Sequence, residues 1–228
     1  MRLCMFHPEG RPMERGWVGR IEDGRVVHLA AQTLQSFFTG GGSAREHAEY
    51  ALDDVVLLAP VLHPPSVRVF DDGAAFAFAN PAAILAPDAA VSTEAPELVL
   101  LPRVAAMIGA EGEIGGYTAL AEWRDPALAP PKDRDFALIL GPVVVTPDEL
   151  DPYELQATVR ADGAERIRGR FGGFDWPAAR DLAAFGTVLR PGDLLAGPAL
   201  DAVEIAPGTG AELLIEGIGI LAAPVSRA

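Results

Sequence analysis

Glycine and proline interrupt this chain so often, 24 and 20 times in 228 residues, that few stretches between them can carry a helix of several turns. The chain must be built mainly from short extended segments. Apolar and β-branched content predicts strands over 67–70, 98–101, 104–108, 117–120, 141–145, 155–161, 194–196 and 213–216. Two helices are expected. One follows Asp175-Trp176-Pro177, where Asp175 can cap the end and Pro177 suits the first turn, and it covers 178–185 before Gly186. The other is read over 44–50. Gly40-Gly41-Gly42-Ser43 reads as a flexible loop joining a first lobe to the remainder, and no internal repeat is evident.

With 50% hydrophobic residues, a chain of this length can bury most of its surface as one compact unit with a small appended lobe. A net charge of −14 argues against nucleic acid, whose phosphates need clustered Lys and Arg. Cys4 is the one cysteine, so no internal disulfide can form and nothing points to an oxidising compartment. No run of about 18 apolar residues appears, and Arg2, His7 and Glu9 stand where a signal peptide would be apolar. The expected setting is the cytoplasm, without membrane insertion.

Several blocks carry a resemblance. Gly24-Arg25-Val26-Val27-His28-Leu29 and Met1-Arg2-Leu3 look like small N-terminal strands, and Leu57-Leu58-Ala59-Pro60-Val61 leads to His63-Pro64-Pro65-Ser66-Val67-Arg68. Phe78-Ala79-Asn80-Pro81-Ala82-Ala83-Ile84, Met107-Ile108-Gly109 and Gly116-Tyr117-Thr118 follow. Lys132-Asp133-Arg134-Asp135-Phe136 runs to Leu140-Gly141-Pro142 and Thr146-Pro147-Asp148-Glu149-Leu150, and Leu189-Arg190-Pro191-Gly192-Asp193 and Ile215-Glu216-Gly217-Ile218-Gly219 close the series. In order and spacing, over nearly the whole chain, these resemble the fumarylacetoacetate hydrolase family. The resemblance implies an α+β, β-rich mixed-sheet fold with a small N-terminal lobe over 1–56 and the main domain over 57–228. It also implies a homodimer acting on small oxo acids.

In that family a divalent cation, held by carboxylates on neighbouring strands, polarises the substrate's oxo and enol oxygens so that a C–C bond can break. On this chain the two positions of a Glu-x-Glu ligand pair fall on Leu101 and Arg103, and the third ligand position falls on Glu122. Leu101 and Arg103 share one face of a strand. Neither can bind the ion, and a guanidinium repels it. Arg103 can instead hold a substrate carboxylate or pair with an acid such as Glu122. Val69 stands where some relatives place an Asp, no His follows before Phe78, and the segment from Asp71 to Ala77 is short. His63 reads as structural.

Lys132, with Asp135, Gly141 and Pro142 at family spacing, is the best preserved of the implied site residues; it can act as acid, base or electrostatic clamp, or stand as a solvated loop lysine. The family's Thr-Gly-Thr-Pro turn appears as Ala196-Gly197-Pro198. The expected site is therefore Lys132 and Glu122 as catalytic groups, with Arg103, Asp135, Gly141, Pro142 and Gly197 against substrate. Glu122 is the one ligand position kept, and no cofactor is expected. Mg²⁺ or Ca²⁺ belongs to a second reading, an active hydrolase, decarboxylase or tautomerase with ligands such as Asp71, Asp72 and Asp125. A third is a non-catalytic subunit beside an active relative. The first reading is a divergent chain that has lost metal-dependent hydrolysis. No phosphate loop, zinc spacing or nucleophile elbow occurs.

Overall fold

The computed structural model describes all 228 residues. The N-terminal stretch forms β1 (Arg2–Pro8), β2 (Trp17–Glu22), β3 (Arg25–Leu29), helix α1 (Leu34–Thr39), β4 (Glu46–Ala51) and β5 (Val55–Leu58). Short strands β6 (Val67–Val69), β7 (Ala77–Ala79), β8 (Ile84–Leu85) and β9 (Val91–Thr93) lead to the long central strands β10 (Leu98–Ile108), β11 (Ile114–Arg124) and β12 (Leu138–Val145). The C-terminal part contributes β13 (Gln156–Ala161), β14 (Ala164–Arg170), helix α2 (Trp176–Ala184), β15 (Leu194–Ala196), β16 (Val203–Ile205), β17 (Gly210–Ile215) and β18 (Gly219–Arg227). A large mixed sheet runs β4-β3-β2-β1-β12-β11-β10-β15-β6-β7, and a smaller one runs β14-β13-β17-β18-β9. Val159, Leu213, Ile215 and Leu221 of the small sheet share one buried cluster with Tyr117, Ala119, Ile139 and Val143 of the large sheet. In the small sheet Leu213, Ile215 and Leu221 alternate with more exposed neighbours, as a sheet with one covered face requires, whereas β11 and β12 are buried along nearly their whole length because the large sheet is covered on both faces there.

The N-terminal strands are paired into the large sheet. Strand β1 pairs with β12 through Arg2↔Val145 and Leu3↔Val144, and with β5 through Met5↔Leu58, so the first strands continue the main sheet. The boundary expected between residues 56 and 57 falls inside β5. The glycine-rich segment joins α1 to β4. Gly40 caps the C-terminus of α1, and Gly41 and Gly42 turn the chain with φ of 89° and 69° toward β4.

The 44–50 region, expected as a helix, is instead the edge strand β4, held to β3 by pairs such as Val26↔Tyr50 and His28↔Ala48. Cross-strand pairing and the packing of Tyr50 on Phe6 and Trp17 override a weak local preference. The N-terminal helix lies earlier, at α1, where Thr33 and Ser36 close a reciprocal capping box. Helix α2 starts as the sequence implies, with Asp175 accepting from the Ala178 amide at 2.9 Å.

One irregularity prepares the site. On its side away from β11, β10 pairs with β16 over Leu98–Leu100 and with β15 over Ala105–Met107, leaving residues 101–104 between the two partners. Pro102, which has no amide proton to give a ladder, sits in that gap. The loop 197–200 covers it by donating to the gap's carbonyls, Gly197 N to Val104 O at 2.9 Å and Leu200 N to Pro102 O at 3.1 Å.

Candidate functional site

Arg103 projects from this gap. In the β10–β11 register it faces Leu120, while Glu122 faces Leu101, so arginine and glutamate are diagonal neighbours on one face of the hairpin. Arg103 is 1% exposed and Glu122 fully buried. Arg103 Nε donates to Glu122 Oε2 at 2.7 Å, Nη1 donates to the carbonyls of Phe70 (3.0 Å) and Gly197 (2.9 Å), and Nη2 donates to Asp71 Oδ1 at 2.7 Å. Four of the five N–H groups of a guanidinium are thereby used. Glu122 is equally engaged: its Oε1 accepts from Arg124 Nε at 2.8 Å, and Arg134 Nε stands 3.9 Å away. A buried pair hydrogen-bonded on all sides in this way avoids the penalty of an isolated interior charge.

Asp71 closes the cluster from the exposed loop after β6. Burial alone would raise its pKa, but the Arg103 hydrogen bond and the charges of Arg103, Arg124 and Arg134 outweigh this and hold the carboxyl below its usual range.

Of the residues expected at the site, the structure brings together Arg103, Glu122 and Gly197, the last through its carbonyl. It does not bring Lys132. That side chain is 67% exposed and pairs with Asp135 at 2.9 Å on the surface. Residues 132–134 form one 3₁₀ turn, in which successive side chains splay apart, and the cation turned toward Glu122 is Arg134. Gly141 and Pro142 are scaffold: a side chain on Gly141 would press on Pro60 and Pro87, and the Pro142 ring packs against Gly219. Arg124 was missed altogether, although its place two residues beyond Glu122 on one strand puts it on the same face.

A divalent ion does not fit the donor set. Glu122 is the one carboxylate on the hairpin at this point and both its oxygens face guanidinium groups, while Asp71 is turned to Arg103. Three arginines crowd the position where a dication would need surplus negative charge. The other carboxylates considered as ligands are used locally: Asp72 accepts from Ala74 N and Asp125 from Ala127 N, each at 2.9 Å. No group of three or more His, Cys, Asp or Glu side chains is placed to hold a metal anywhere in the chain. Val69 lies in the core. On the opposite face of β10, Val104 lines a separate cavity of about 210 Å³ with Phe174, Trp176, Gly197 and Leu200.

This is the architecture of the fumarylacetoacetate hydrolase fold. The chain superposes with a TM-score of 0.83 on maleylpyruvate hydrolase from Sphingobium sp. SYK-6, a structure containing manganese(II) and pyruvate, at 19% identity over 100% of both chains. A fumarylacetoacetate hydrolase from Exiguobacterium antarcticum matches at 0.82 with 21% identity, and a 5-carboxymethyl-2-hydroxymuconate delta-isomerase from Mycobacterium smegmatis at 0.81 with 23%, again over 100% of both chains. No family model and no curated protein sequence matches the chain. The likeness therefore lies in the fold.

Proposed function

We propose that the chain descends from the oxo-acid enzymes of this fold but does not carry out metal-dependent C–C bond hydrolysis, a fixed guanidinium having taken the place of the cation. The observation that carries this reading is the Arg103–Glu122 contact at 2.7 Å, with both partners buried, four of the five Arg103 N–H groups engaged and both Glu122 oxygens bonded to guanidinium groups. Neither Lys132 nor a histidine stands by to activate water. The test is thermal melting of the purified chain with Mg²⁺, Mn²⁺ or Ca²⁺ and with chelator. A ligand specific to the native state, present at about 100 times its dissociation constant, adds roughly 2.7 kcal/mol, which a melt would register readily. The expected result is an unchanged Tm under all conditions. An upward shift of several degrees that disappears in Glu122→Gln would overturn the reading.

A further inference from the structure

The cluster around Glu122 is unbalanced in the opposite sense to a metal site. Arg103, Arg124 and Arg134 converge on two carboxylates, Glu122 and Asp71, and a surplus of positive charge in a chain of net charge −14 is not explained by bulk composition. The surplus is located on two residues. Arg103 has four of its five N–H groups engaged, whereas Arg124 is bonded through Nε alone, to Glu122 at 2.8 Å, and reaches Asp71 only at 3.9 Å through Nη2, and Arg134 reaches Glu122 only at 3.9 Å, beyond hydrogen-bond range. Arg134 Nη1 is buried with no partner at all. A buried guanidinium nitrogen without an acceptor is costly, and the deficit would be met by an oxygen anion.

Asp71 supplies such an anion incompletely. Its side chain is 61% exposed, it sits on a loop rather than a strand, and both of its contacts, with Arg103 and Arg124, fall on the single oxygen Oδ1. Its second oxygen makes no contact with any of the three arginines, and neither oxygen comes within 4.0 Å of Arg134. A free carboxylate is tied to no loop and could bond Arg124 and Arg134 through its two oxygens in the planar manner guanidinium favours.

We infer that Arg124 and Arg134 form a subsite for a small carboxylate anion and that Asp71 occupies this subsite in cis as a competing internal ligand. The inference rests on the metal-free reading of the same centre. It predicts that Asp71→Ala opens the subsite to formate. In melts at constant ionic strength, Asp71→Ala should show a Tm that rises with formate and saturates, while chloride leaves it flat and the wild type responds weakly to both. Adding Arg134→Gln to Asp71→Ala should abolish the rise. Should that double variant not fold, Asp71→Ala with Arg134→Lys should require a several-fold higher formate concentration for half the effect. A rise of equal size in wild type, an equal response to chloride, no rise at all, or a rise indifferent to the Arg134 substitution overturns the subsite. The same melts with Mn²⁺ separate the two readings: a manganese shift in wild type defeats the metal-free reading, whereas metal insensitivity without formate rescue defeats the subsite alone.

Discussion

Arg103 is the side chain on which the centre depends, because it ties together β10, β11, the loop after β6 and the turn at Gly197 with hydrogen bonds from one planar group. Removing it strands Glu122, the carbonyls of Phe70 and Gly197, and Asp71 at once. Breaking one side of a buried ion pair costs about 3–5 kcal/mol. Arg103→Leu should therefore lower Tm by roughly 6–20 °C at the 2–4 °C per kcal/mol typical of this chain length. A drop of only a degree or two would mean that Arg124 and Arg134 alone satisfy Glu122. Part of this centre was legible in the sequence. Alternation on a strand places Leu101 and Arg103 together, and a cation there calls for an anionic partner; with Glu122 placed nearby by the family resemblance, the pairing is one of two readings open without coordinates, the other being a substrate carboxylate. Direction within the turn at 132–134 was not. The family resemblance implies Lys132 at the site, but a 3₁₀ turn decides which of Lys132 and Arg134 faces inward, and that depends on packing from distant segments.

At the level of elements, the informative unit is β10, expected as two strands over 98–101 and 104–108 and found as one of 11 residues. Pro102 suggests a break, since it cannot donate; yet a strand continues through it wherever the neighbour on that side is absent, as it is between β15 and β16. The same gap admits the Gly197 carbonyl to Arg103, so the proline that obscures the strand also marks the site. The edge strand β4 was illegible for a different reason: its residues are almost all exposed, so no apolar periodicity separates strand from helix there. Where a local signal is purely backbone chemistry it survives. The Asp175 cap of α2 is such a case, and Asp175→Ala should cost about 1 kcal/mol, or roughly 2–4 °C in Tm, through the lost bond to the Ala178 amide. An unchanged melt would show that Pro177 and the burial of Trp176 already fix the helix start.

For the whole molecule, the decisive feature is that the N-terminal strands are stitched into the main sheet on two sides. β1 lies between β2 and β12 and also pairs with β5, and α1 lays Phe38 against Gly109 and Gly115 at the far end of the β10–β11 hairpin. Cys4 and Phe6 belong to the same buried cluster as Trp123 and Val145. The family resemblance implies a separate stretch over 1–56, whereas the pairing that joins it to the main sheet spans more than 140 residues of chain, as in Leu3↔Val144. Contacts of that separation cannot be read from local pattern, and they have an energetic consequence. If β1 cannot leave without exposing β12 and its share of the core, the N-terminal strands and the central hairpin must open together. Native-state hydrogen exchange should then give the slowest amides of β1, at Cys4 and Met5, the same opening free energy as those at Ala105 and Leu120 in β10 and β11. A plateau for the β1 amides more than about 2 kcal/mol below that of the hairpin would identify an N-terminal unit that unfolds by itself, despite the shared sheet.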